Sequence, residues 1–131
     1  MELQKQPAKD FGIRIDVATQ YVEDQSEPSV SEYFFAYTVR ITNSGAKPAQ
    51  LINRHWIITD GLGRTKNVKG SGVVGEQPWI GPGETFEYSS YCPLPTPTGM
   101  MCGRYQMVRD GGECFAVEIP TFYLVEPNSY H

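Results

Sequence analysis

The sequence predicts an all-β domain, a two-sheet antiparallel sandwich of the immunoglobulin or fibronectin type III kind with about seven strands. Three observations carry this. Apolar residues alternate with polar ones over short runs, the period of a half-buried strand. Thirteen glycines and ten prolines punctuate those runs at regular intervals. Helical periodicity is nearly absent. The 131 residues suit one hydrophobic core and are too few for two.

The elements follow in order. Residues 1–12 read as a flexible tail. Ile13, Ile15 and Val17 alternate with Arg14 and Asp16 and open a first strand that runs to about Val22. A polar loop with Pro28 follows. Tyr33 to Asn43 is the clearest strand, with Phe35, Tyr37, Val39 and Ile41 on its core face. Asn43-Ser44-Gly45 starts a turn. Gln50 to Asp60 is the third strand. Its even positions, Ile52, Arg54, Trp56 and Ile58, are expected to face the core, which turns His55 outward. Asp60-Gly61-Leu62-Gly63 makes a hairpin turn into a short strand from Arg64 to Lys69.

Gly70 to Gly83 reads as a long loop. Glu84 to Tyr91 is the next strand, and Pro93, Pro95 and Pro97 break the chain after it. Gly103 to Arg109 and Glu113 to Leu124 form a closing hairpin. Its loop should have three residues, Asp110 to Gly112, because that register opposes Met107 to Phe115 and Tyr105 to Val117. A two-residue turn would set these large apolar side chains on opposite faces. The domain should span 13–126, with 127–131 as a C-terminal tail. A closed barrel is the structural alternative.

Composition narrows the function. The net charge of −4 argues against a general nucleic-acid binder, which needs an excess of Lys and Arg. No stretch approaches the roughly 20 apolar residues of a membrane-spanning helix, so no membrane insertion is expected. The N-terminus has no apolar run of the secretory kind, and the expected location is the cytoplasm. Cys92, Cys102 and Cys114 are odd in number and widely spaced, which reads as free thiols in a reducing compartment.

Chemistry-bearing motifs are few. Gly70-Ser71-Gly72-Val73-Val74-Gly75 matches G-x-G-x-x-G, but Pro78 follows closely and leaves no room for the helix of a dinucleotide fold. Such a turn can still aim backbone N–H groups at an anion. The candidate anion site is therefore Gly70, Ser71, Gly72 and Gly75. Lys47, Lys69 and Arg109 flank the loops expected at the same end of the sandwich: Ser44 to Ala49, Gly70 to Gly83 and Asp110 to Gly112. No Cys-x-x-Cys or His-x-x-x-His spacing points to a metal, no nucleophile elbow is present, and no cofactor or catalytic residue is assigned.

Several segments resemble the ApaG domain family. They include Arg54-His55-Trp56-Ile57-Ile58, Gly72-Val73-Val74-Gly75-Glu76-Gln77-Pro78 and Pro82-Gly83-Glu84. Further along come Leu94-Pro95-Thr96-Pro97-Thr98-Gly99-Met100-Met101, Gly103-Arg104-Tyr105-Gln106-Met107 and Ile119-Pro120-Thr121-Phe122. The likeness runs from about Phe11 to Glu126. It implies a fibronectin type III-like sandwich. It also implies a connection with cobalt resistance and magnesium efflux, and a protein-interaction role like that of related domains in a eukaryotic F-box protein and a protein that contacts DNA polymerase delta. Ser71 departs from the resemblance, since many members carry an acidic residue there. The expectation is thus a non-catalytic module that binds a protein partner, linked to divalent-cation homeostasis. The alternative is a small-anion binder for a nucleotide or pyrophosphate.

Overall fold

The computed structural model describes residues 11–129. Two antiparallel sheets pack face to face. The smaller contains β1 (Ile13–Tyr21), β2 (Tyr33–Asn43) and β6 (Thr85–Leu94), in the order β1-β2-β6. The larger has the order β4-β3-β7-β8, formed by β3 (Ala49–Asp60), β4 (Thr65–Ser71), β7 (Thr98–Arg109) and β8 (Cys114–Val125). A two-residue strand, β5 (Trp79–Ile80), pairs with the start of β3. Three short 3-10 turns complete the described chain, and none of its helices is long and apolar enough to cross a membrane.

Alternation places the core as the sequence implies. Phe35, Tyr37, Val39 and Ile41 on β2 are buried, facing Met101, Tyr105 and Met107 of β7 across the sandwich. Trp56 is 3% exposed and makes edge-on contacts with Tyr37, Tyr105 and Phe122, at ring centroid distances of 5.5, 6.2 and 5.8 Å. The buried Tyr105 hydroxyl shares a hydrogen bond with that of Tyr88, so neither phenol is left unsatisfied. The closing hairpin has the three-residue loop. Met107 opposes Phe115, Tyr105 opposes Val117, and Gly112 takes a φ of 97°. Arg109 N–H donates to Glu113 O at 2.8 Å.

Four expectations need correction. First, the core face of β3 is not a single even-numbered row. Leu51 and Ala49 are buried at its start, whereas Trp56 is buried further on. The register against β7 shifts between Leu51 and Asn53, which makes Ile52 an inserted residue. Leu51 and Trp56 are five positions apart, an odd separation that strict alternation would send to opposite faces, and the bulge restores both to the core. Second, the segment 70–83 is not one loop. Gly70 and Ser71 belong to β4, opposite Arg54 and Asn53, and Trp79–Ile80 forms β5, so the described residues form eight strands, one beyond the seven read from the sequence. Third, β6 continues through Pro93 to Leu94, since β6 is a sheet edge and an edge strand tolerates a residue without an N–H. Fourth, β7 begins at Thr98 instead of Gly103, leaving only 95–97 as the connection. Pro120 lies in β8, another edge strand, where the pairing with β7 also shifts register.

Removal of Trp56 tests this packing. Trp56→Ala is expected to lose about 3–5 kcal/mol of stability, read by chemical denaturation. An unchanged midpoint would place the indole outside the core.

Candidate functional site

A sandwich of open sheets has two open sides. On one of them the edge strands β4 and β6 face each other across the core. Antiparallel pairs put directly opposed residues on the same face, so Lys66 shares a face with Ile58, and Val68 with Trp56. This inner face of β4 meets Ser90, Cys92 and Leu94 of β6, and between them lies a cavity of about 510 Å³. Trp56, Tyr37 and Met101 line it from within. A smaller recess of about 230 Å³ adjoins it, shares Tyr37, Arg54, Trp56 and Ser90, and is bounded by Val73, Val74 and Gly75. Together they form a groove along the side of the molecule.

Three basic side chains, Arg54, Arg64 and Lys66, and one acid, Asp60, line the larger cavity. Asp60 is already engaged. It accepts Arg64 Nε–H at 2.8 Å and the backbone N–H groups of Leu62 and Arg64 at 2.9 and 3.1 Å. Desolvation pushes its carboxyl up, but these bonds together outweigh that and hold it below the ordinary value. The charge left to the groove is positive, from Arg54 and Lys66. Burial raises the Tyr37 phenol against a hydrogen bond from Ser90 and the Arg54 charge. Burial also pushes the Cys92 thiol to about 11, with Lys66 opposing it. Tyr88 and Tyr105 are raised, chiefly by desolvation. These hydroxyls and this thiol are therefore protonated at neutral pH.

Arg54 is the pivot of the groove. The bulge at Ile52 sets it on the inner face of β3, half-buried. Its Nη1 donates to Ser71 O at 3.0 Å and to Gly72 O at 2.9 Å. A β-carbon on Gly70 would stand 2.8 Å from the guanidinium, so glycine is what lets Arg54 pass beneath β4. Past Gly72 the chain makes a tight turn, Val73 and Glu76 exchanging N–H···O bonds of 2.8 and 2.9 Å. Gly72 has a φ of 62°, and a side chain there would collide with Glu76 O at 2.2 Å. Val73 is fully buried and plugs the open side of the core.

The sequence-derived anion residues separate into three places. Gly72 and Gly75 lie on the turn beside the groove. The Gly72 N–H is donated to Ile52 O and the Val73 N–H to Glu76 O, so those amides are satisfied within the fold. Lys47 and Arg109 lie at one end, where Asp110 N–H donates to Pro48 O at 2.8 Å. Arg109 stacks on Phe11 with its guanidinium carbon 4.2 Å from the ring centre, and pairs with Glu113 at 3.4 Å. Lys69 is opposite His55 on the outer face of the larger sheet, six residues along β3 from Ala49 and roughly 20 Å away at ~3.3 Å per residue. The expected clustering of the three loops holds for 44–48, 110–112 and the stretch from Pro78 to Gly83, which bonds to Leu51 and Asn43. It does not hold for 70–76.

Lys69, Gly70 and Ser71 do come together elsewhere. With Arg54, His55 and Arg104 they line a shallow depression on the outer face. His55 accepts from Arg104 at Nδ1 (3.2 Å) and therefore carries its proton on Nε2, which donates to Asn67 Oδ1 at 2.7 Å. Arg104 also pairs with Glu118 at 3.3 Å. Sequence reasoning overlooked Arg104, Lys66 and the role of Arg54. Only Arg54 left a legible sign, a charged residue on the core-facing parity of a strand beside Trp56.

A three-stranded antiparallel sheet packed on a five-stranded one makes this a fibronectin type III-like β-sandwich. The chain belongs to the ApaG domain family, whose model matches residues 23–109. It is 53% identical to the ApaG protein of Bordetella pertussis over the full length of both chains. It is also 53% identical to that of Bdellovibrio bacteriovorus over 129 residues, covering 98% of this chain and 100% of that one. Among solved structures, the ApaA protein of Bordetella pertussis superposes with a TM-score of 0.87 at 56% identity, covering 89% of this chain and 95% of that one.

The thiols provide a check on the geometry. Cys114 is exposed, Cys102 half-buried and Cys92 buried. An aromatic disulfide reagent should therefore modify Cys114 first, Cys102 next and Cys92 last, with three thiols titrated in all on unfolding. Modification of Cys92 ahead of Cys114 would contradict this order of burial.

Proposed function

We propose that this chain is a non-catalytic protein-binding module and that its partner docks on the groove between β4 and β6. The observation that carries this reading is the groove itself: an apolar cavity of about 510 Å³ flanked by two sheet edges, with Arg54 and Lys66 left unneutralised at its rim. Concave apolar surfaces with a few convergent polar groups are where ligands bind. Among the described residues, no three His, Cys, Asp or Glu side chains are grouped to hold a metal ion. In this reading the proposed link to cobalt and magnesium homeostasis runs through the partner. The test is photo-crosslinking in native cells, with a benzophenone amino acid replacing either Tyr91 beside the groove or Tyr123 on the outer face. Both tyrosines are 63% exposed, so neither replacement disturbs the core. A discrete crosslinked protein from Tyr91 and none from Tyr123 is expected. The reverse pattern, or none from either, sinks the reading.

A second reading is favoured by the depression on the outer face. Lys69 and Arg104 flank Ser71 there, an arrangement suited to a phosphate-containing anion held by side chains. Glu118 competes for Arg104, so binding should be modest and weakened by salt. Isothermal titration with pyrophosphate at low ionic strength should give heat that Lys69→Ala/Arg104→Ala abolishes. Equal heat from both proteins, or none from either at millimolar ligand, removes this site from consideration.

A further inference from the structure

We infer that the groove accepts an extended peptide segment, which adds to the free edge of β6 and places an apolar and an acidic side chain, two residues apart, into the cavity. This rests on the protein-binding reading and specifies its ligand.

The backbone of β6 has a free edge. It pairs with β2 along one edge only. Asn43 N–H donates to Glu84 O, and antiparallel alternation from that pair points the backbone groups of Glu87, Ser89, Tyr91 and Pro93 away from β2. Two features agree with this phase. Pro93, opposite Phe34, has no N–H to offer β2. Phe34 itself accepts from Val22 N–H and donates to Ser26 Oγ, on its other side. The free edge therefore presents the N–H and C=O of Ser89 and Tyr91 and the C=O of Pro93, which takes only a long 3.9 Å contact from Cys92 Sγ, the complement an incoming strand requires. The turn at Val74-Gly75 bounds the groove beyond Ser90, which limits the incoming strand to a short stretch alongside 89–93.

Beneath such a strand lies the cavity. The strand's side chains alternate, so those at i and i+2 turn inward together. One would meet the apolar surface of Trp56, Val68 and Cys92; the other would lie toward Ile58 and Leu94, next to Lys66, with Arg54 adding positive charge at the groove's other end. The Nη1 of Arg54 is used by Ser71 and Gly72, while its Nε and Nη2 have no hydrogen-bond partner among the described residues. The single acid of the cavity is held by Arg64. Charge complementarity thus selects a carboxylate, against a chain whose own net charge is −4.

The test is selection of a random dodecapeptide phage library on the full chain, counter-selected on Lys66→Glu, whose side chain is exposed. Enrichment of an apolar residue and Asp or Glu at a spacing of two is expected. A synthetic peptide from the selected set should bind at least tenfold more weakly to Lys66→Glu, and Arg14→Glu on β1 should leave its affinity unchanged. Single N-methylation within the motif should weaken binding tenfold or more at alternate positions, the signature of a backbone ladder. Selected peptides without the acidic residue, or affinity indifferent to Lys66→Glu or to N-methylation, would overturn the inference. So would a failed selection accompanied by a dimer that Lys66→Glu dissociates, since the occupant would then be a second copy of this chain. A failed selection alongside a retained Tyr91 crosslink overturns strand addition and leaves the protein-binding reading intact.

Discussion

The parity of β3 is the constraint on which the rest depends. One inserted residue, Ile52, lets the strand bury Ala49 and Leu51 at its start and Trp56 further on. A strand that kept strict alternation would have to expose one set or the other. The insertion therefore holds two halves of the core in one sheet: Leu51 opposite Met107, and Trp56 among Tyr37, Tyr105 and Phe122. It also carries Arg54 to the inner face, where no alternative position for its charge exists except the open side of the sandwich. The groove is thus a consequence of the same bulge that completes the core.

Buried polar groups then tie the layers together. Asn43 is 1% exposed. Its amide donates to Lys47 O and Ile80 O at 2.8 Å each and accepts from Gly45 N–H at 2.9 Å. One side chain so joins the end of β2, the turn after it and β5 of the opposite sheet. At the other end Thr96 accepts from Gly61 N–H and donates to Thr98 O, fastening the β3–β4 hairpin to the proline-rich connection. An unmade bond at any of these sites would leave a buried polar group unsatisfied, at a cost of about 1–3 kcal/mol. Both ends are thereby held, and the sides between the edge strands are where a partner can approach.

The glycine-rich segment illustrates how one motif can arise from different needs. In a dinucleotide fold its glycines let phosphate approach a helix. Here Gly70 admits the guanidinium of Arg54, and Gly72 clears the carbonyl of Glu76. The close approach is between parts of the same chain, and the arginine supplies the cation. The segment's carbonyls, not its amides, face that charge.

The sequence by itself determined most of the strands, the single core and much of its register. Period-two alternation in β1 and β2, the turn residues and the hairpin arithmetic around Asp110-Gly111-Gly112 are local properties, visible wherever one face is buried. Trp56 and the outward His55 could be placed from the same pattern. What the sequence did not reveal was the bulge at Ile52, the pairing of Trp79–Ile80 with β3, and the passage of β6 through Pro93. Each depends on a neighbouring strand: a bulge is defined against its partner, and a proline is harmless only where no partner awaits its N–H. The candidate site was less legible still. Gly70 and Gly72 were expected to face an anion, yet they make room for Arg54 and for the Glu76 carbonyl, while Lys47 and Arg109 lie at one end and Lys69 faces out from the larger sheet. Lys66 and Arg54 share a groove with Ser90 and Cys92 of β6 only because two sheets bring their edges together, and the distance across a sandwich is set by packing between residues far apart in the chain, which no local pattern encodes.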